Sequence, residues 1–145
     1  MKNLLRFIIV VAVVGGTAIL LMNQLGKSNN AQVSIGESTK FSEVEINEAV
    51  SKVKRKFWGF RGCELTEIWY TEAESDKIAE DYLNYGDGSE KNIDKDNVIG
   101  LLSNFKVDSS GGDGSLEPNS TYTEWRWVLI RNSENGKWHV KDWGY

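Results

Sequence analysis

Cys63 and His139 are the chain's only thiol and imidazole, so any Cys-His nucleophilic chemistry must be built from this pair. Such a pair works only if the fold sets the thiol beside a base that activates it. A serine hydrolase would need the same His139, and the sequence holds no Gly-x-Ser-x-Gly elbow to present its serine. Cys63 therefore reads as a small buried apolar residue and His139 as a surface residue on a hairpin strand. Asp94, Asp96, Asp108 and Asp113 are hard oxygen donors of the kind calcium takes. However, Asp94-Lys95-Asp96-Asn97 does not continue into the glycine and terminal glutamate of an EF-hand loop. Gly111-Gly112-Asp113-Gly114 lacks the lysine and hydroxyl of a phosphate loop, and Asp113 would repel a phosphate. It reads as a turn that needs positive φ. No catalytic residue, metal or cofactor is assigned on these grounds.

Aromatic residues carry more weight. Trp69, Tyr70, Trp125, Trp127, Trp138 and Trp143 all fall in segments of strand character. Some must be core, because large rings supply much of the apolar area a small domain buries. A curved sheet closing on a helix can also leave an aromatic-lined hollow, with Glu124 and Arg126 at i and i+2 as a polar anchor. The candidate ligand-binding residues are therefore Trp69, Glu124, Trp125, Arg126, Trp127 and Trp143.

Several elements are expected to position these side chains. Ser42 followed by Glu45 is a capping-box pattern, and Ile46, Ala49, Val50, Val53 and Phe57 follow at helical spacing. Lys54, Arg55 and Lys56 near the end of that helix suit its dipole. Cys63 to Tyr70 has the β-formers of a first strand. Ser75, Ile78, Ala79, Tyr82 and Leu83, stopped by Gly86-Asp87-Gly88, predict a second helix over 75–85. Residues 98–107 alternate as a half-buried strand with Ile99, Leu101, Phe105 and Val107 on one face. After a polar, glycine-rich loop over 108–120, a strand over 121–131 sets Trp125, Trp127 and Leu129 on one face. Tyr122, Glu124, Arg126, Val128 and Ile130 take the other. Asn135-Gly136 then marks a hairpin to a last strand. The expected fold class is α+β, a curved antiparallel sheet packed on a long helix with the helices on one side.

At 145 residues, with 40% hydrophobic and 26% charged residues and one proline, the chain has the composition of one packed domain. Its formal net charge of -4 argues against nucleic acid as a partner. One cysteine forms no internal disulfide. The run from Phe7 to Met22 holds sixteen uncharged residues behind Lys2 and Arg6. At ~1.5 Å per residue it spans roughly 24 Å of a ~30 Å hydrocarbon core, so flanking leucines must join it. It also runs slightly longer than the apolar region of a signal peptide. Three segments follow: a membrane anchor or signal segment over 1–22, a flexible linker over 23–40 and an extracytoplasmic α+β domain over 41–145. The positive-inside rule puts the N-terminus in the cytoplasm and the domain outside, as a single-pass protein of the cell membrane. Secretion after cleavage is the alternative.

The stretches 59–70, 109–122 and 136–145 resemble a family of surface proteins from Gram-positive, clostridial-type bacteria that carries a domain of unknown function, over about residues 41–145. The resemblance implies a cystatin-like, or nuclear-transport-factor-two-like, fold in which a bent antiparallel sheet curls around a long helix. It implies no activity, and fold alone gives none. The expected function is a membrane-tethered extracytoplasmic binding or interaction module without catalysis, taking an unknown protein or small-molecule ligand. The alternatives are a small-molecule enzyme that uses a carboxylate such as Glu124 as acid or base in an aromatic-lined pocket, and a structural envelope component.

Overall fold

A computed structural model of the chain describes residues 25–89 and 92–145. Helix α1 (Glu43–Phe57) begins with the reciprocal cap its sequence encodes. The Glu45 N–H donates to the Ser42 hydroxyl at 3.3 Å, and the Ser42 N–H donates to the Glu45 carboxylate at 2.8 Å. Two of the four orphan donors at the helix start are thereby satisfied. Ile46, Ala49, Val50, Val53 and Phe57 form the buried stripe.

Five strands make one sheet in the order β1 (Gln32–Ile35), β2 (Cys63–Tyr70), β3 (Val98–Val107), β4 (Thr121–Ile130) and β5 (His139–Gly144). The last four are antiparallel neighbours, whereas β1 runs parallel to β2 with Val33 opposite Ile68. This corrects the linker expected over 23–40, because from Leu25 onward that stretch belongs to the fold. The Gly26 N–H donates to the Trp58 carbonyl at 3.0 Å and the Lys27 N–H to the Cys63 carbonyl at 2.9 Å. A Cβ on Gly26 would lie 2.0 Å from the Phe57 carbonyl oxygen, so no larger residue fits. The segment has no apolar periodicity because backbone hydrogen bonds hold it, and most β1 side chains stay exposed. The expected anchor over 1–22 lies outside the described residues. Among those described, no helix is long and apolar enough to cross a membrane.

The helices lie on opposite faces of the sheet, not on one side. Ile99, Leu101, Phe105 and Val107 of β3 join the α1 core. Val98 and Leu102 of β3 and Val128 of β4 point the other way and meet Ile78, Ala79 and Tyr82 of helix α2 (Glu72–Tyr85). β3 is thus buried on both faces rather than half-buried. Close contact with α2 requires Gly100, where a Cβ would approach Ile78 to 2.6 Å. Ser75, expected near the start of this helix, lies buried inside it and accepts the Gly100 N–H at 3.0 Å. Thr71 caps the helix instead.

β4 does not alternate cleanly. Its register against β3 shifts between Ser103 and Phe105, and Glu124 takes a φ of 55° at this irregularity. The extra residue resets the faces, so Tyr122 packs on the α1 side with Trp125 rather than opposite it. The β4–β5 connection runs from 131 to 138, and the Gly136 N–H donates to the Ser133 carbonyl at 2.8 Å. Neither Asn135 nor Gly136 takes a positive φ, so the hairpin closes through this longer loop and not a two-residue type I′ turn.

Arg131 locks the end of this arrangement. Its side chain is 5% exposed and donates to Glu45 at 2.6 Å, to Asn97 Oδ1 at 3.2 Å and to the Asp96 carbonyl at 3.2 Å. The guanidinium also lies 4.6 Å from the Trp138 ring centre and 5.7 Å from that of Phe41. Hydrogen bonds from Ser42 and then from Arg131 hold the Glu45 carboxyl at about 2, against an ordinary 4.5. In urea unfolding at pH 7, Arg131→Ala is expected to cost about 3 kcal/mol, and Arg131→Lys to recover only part because it loses the planar fork. A carboxyl depressed by folding stabilises the protein above its ordinary value and stops doing so as pH falls through its folded value. The gap between wild type and Glu45→Gln should therefore be about 1–2 kcal/mol at neutral pH after allowing for solvent screening. It should close between pH 4.5 and 2.

Candidate functional site

The six residues singled out from the sequence do not converge on one pocket. Trp127 is fully buried, and its indole N–H donates to Ser103 Oγ at 2.8 Å, so it is core. Trp69 is half-buried on the α2 face, beside a shallow depression formed with Gln32, Ser34 and Glu67. Arg126 lies on that same face and pairs with Asp81 of α2 at 3.0 Å. Glu124 is exposed at the β4 irregularity, where its N–H donates to Asn104 Oδ1 at 3.0 Å. Trp125 and Trp143 share one cleft, while Arg126 meets Trp143 in a separate, more polar depression with Asp81 and Asp142.

That cleft, of about 360 Å³, opens between the turn after α1, the 108–120 loop and strands β4 and β5. Small-ligand sites start at roughly this size. Phe60, Leu116, Trp125 and Trp143 supply its apolar walls, and Arg61, Asp113 and Ser115 its polar groups. The rings brace one another: Phe60 stacks on Phe57 at 5.0 Å, and Trp125 meets Phe105 edge-on at 5.4 Å and Tyr145 at 5.2 Å. Trp143 is 40% exposed and carries the Lys56 ammonium 4.2 Å from its ring centre. Among the described residues, the buried Trp125 indole N–H has no acceptor. A buried donor left unpaired costs about 1–3 kcal/mol, and an acceptor reaches this one only if the wall of rings opens.

The loop is shaped for this wall. Gly111, Gly112 and Gly114 take φ of 68°, 70° and 92°, which L side chains seldom adopt. Asp108 and Asp113 accept hydrogen bonds from the hydroxyls and backbone of Ser110 and Ser115, closing two tight turns. Those bonds hold both carboxyls below the ordinary range, with Arg61 adding to the effect at Asp113. The cleft thus presents an ionised carboxylate beside a guanidinium. Phe60 and Arg61 lie between Gly59 and Gly62, in a stretch too short for any periodicity to mark them. Leu116 was detectable, as the one large apolar side chain in a polar loop.

Cys63 and His139 cannot act together. Cys63 pairs with Val107 at one end of β3, and His139 pairs with Ile130, which pairs with Val98 at the other. The ten residues of β3 lie between them, about 30 Å at ~3.3 Å each. Burial, then the charges of Asp108 and Asp113, push the Cys63 thiol up to about 11. At pH 8 the native protein should react with a thiol-specific disulfide reagent only at its unfolding rate, whereas denaturant should expose one thiol at once. Rapid labelling of the native chain would contradict this burial. Among the described residues, no three His, Cys, Asp or Glu side chains are grouped to hold a metal ion.

Residues 18–144 match a family model described as a domain of unknown function (DUF4829). No curated protein and no solved structure matches the chain. The resemblance read from the sequence agrees with the family match as far as a domain of unknown function.

Proposed function

From the premise that the chain belongs to the DUF4829 family, we propose that it is a membrane-tethered, extracytoplasmic binding module that takes a small ligand in the aromatic cleft. The observation that carries this reading is the cleft of about 360 Å³ walled by Phe60, Trp125 and Trp143, with the unpaired Trp125 N–H closed off behind that wall. Such a site takes a ligand with one apolar face and one hydrogen-bond acceptor, and Arg61 and Asp113 fix its orientation. The tether rests on the uncharged run from Phe7 to Met22 behind Lys2 and Arg6, which sets the N-terminus in the cytoplasm. We also read the fold as a variant of the cystatin-like arrangement, on the strength of α1 packed across antiparallel strands. For the enzyme alternative, the carboxylate that lines the cleft is Asp113 and not Glu124.

The test is native mass spectrometry of the full-length protein, extracted from its own membranes in mild detergent. The wild type should carry a small-molecule adduct. Trp143→Ala should lose it, and Trp125→Phe, which keeps an aromatic but smaller ring and removes the donor, should bind the recovered ligand about tenfold more weakly. A wild-type spectrum with no added mass, together with a thermal midpoint that no small ligand raises, would overturn the reading.

A further inference from the structure

The apolar run ends at Met22, and by Gly26 the backbone is already bonded into the domain. Four residue steps reach at most about 14 Å. The interfacial layer of one leaflet takes up roughly half of that distance, since a ~30 Å core sits within ~40–45 Å of bilayer. If the run is inserted, the surface around Gly26 has no slack to stand away from the lipid.

The chemistry of that surface fits the position. Gly26 bonds to the carbonyl of Trp58, whose side chain is 49% exposed, and Leu25 beside it is 43% exposed. The Ser28 hydroxyl donates to the Lys54 carbonyl at 3.1 Å, which places the basic last turn of α1 at the same end. Lys27, Arg55 and Arg61 are exposed there. Glu64 and Asp108 line the same small depression as Lys27, and Asp108 is engaged by Ser110. The domain as a whole is acidic, with 13 basic against 20 acidic residues from Phe41 to the end. An exposed tryptophan ringed by lysine and arginine is the composition proteins place at a membrane interface.

We propose that this face docks on an anionic bilayer, with Trp58 and Leu25 seated among the headgroups and Lys27, Arg55 and Arg61 against lipid phosphates. The domain then stands directly on the membrane. The aromatic cleft, which shares Arg61 and lies beside Gly59 and Phe60, opens close to the lipid surface. This docking presupposes the tether proposed above.

To test it, the full-length chain carrying Cys63→Ala is labelled with bimane at Trp58→Cys, or at Glu134→Cys in the β4–β5 connection. Each is reconstituted into phosphatidylcholine vesicles with or without phosphatidylglycerol, doped with headgroup spin-labelled lipid. Emission at 58 should fall by about half, more in the anionic vesicles, while emission at 134 stays unchanged. Arg55→Glu with Arg61→Glu should return position 58 to the level of 134. Independently of the label, brominated lipid should quench tryptophan emission of the unmodified chain more than that of Trp58→Phe. A chain that withstands carbonate extraction yet shows equal emission at both positions overturns the docking, keeps the tether and leaves the face to a protein partner. A chain stripped by carbonate overturns the tether, and the docking falls with it.

Discussion

A guanidinium taken out of water must be satisfied on every side, and Arg131 is the point where this requirement shapes the molecule. Its partners come from parts of the chain far apart in sequence: Glu45 in the first turn of α1, and Asp96 and Asn97 just ahead of β3. Phe41 and Trp138 enclose its faces. The same Glu45 completes the cap on Ser42, so helix initiation and sheet position are set by one carboxylate. A buried ion pair of this kind is often no more stabilising than apolar packing of equal volume. What it adds here is selectivity, because an α1 shifted along the sheet would leave the charge unpaired.

With that end fixed, the two faces of the sheet diverge. The α2 face closes through small residues and direct contact, Gly100 against Ile78 and the Ser75 hydroxyl against the Gly100 N–H. The α1 face is filled with rings, and the β4 irregularity at Glu124 turns Tyr122 and Trp125 together toward that side. These rings pack in both stacked and edge-to-face pairs. The cleft lies among Phe60, Trp125 and Trp143, and the glycine-rich loop with its Leu116 foot closes it from outside.

The N-terminal segment defines the two poles of the domain. Because Gly26 and Lys27 are bonded to Trp58 and Cys63, the turn after α1 and the start of β2 mark one pole of the domain. Arg131 and the β4–β5 connection lie toward the opposite end of β3, where Val98 pairs with Ile130. Ligand-sized space and exposed basic residues therefore sit at the pole where the chain joins its apolar run, and the ion-pair lock sits at the other.

Local signals in the sequence were enough to determine α1 with its capping box, the strand from Cys63 to Tyr70, the existence of α2 and the concentration of tryptophan in strands. Each depends on hydrogen bonds or periodicities that span only a few residues. The candidate site was legible in part: Trp125 and Trp143 line the cleft, while Trp127 is core and Trp69 and Arg126 face α2. Tertiary structure alone decided that α1 and α2 take opposite faces and that residues 25–35 belong to the fold. It also decided that one extra residue in β4 reverses the facing of Tyr122, and that Phe60 and Arg61 complete the wall. Those outcomes depend on which strand pairs with which and in what register. Chain segments distant in sequence settle that only when they meet, so no window along the chain carries the information.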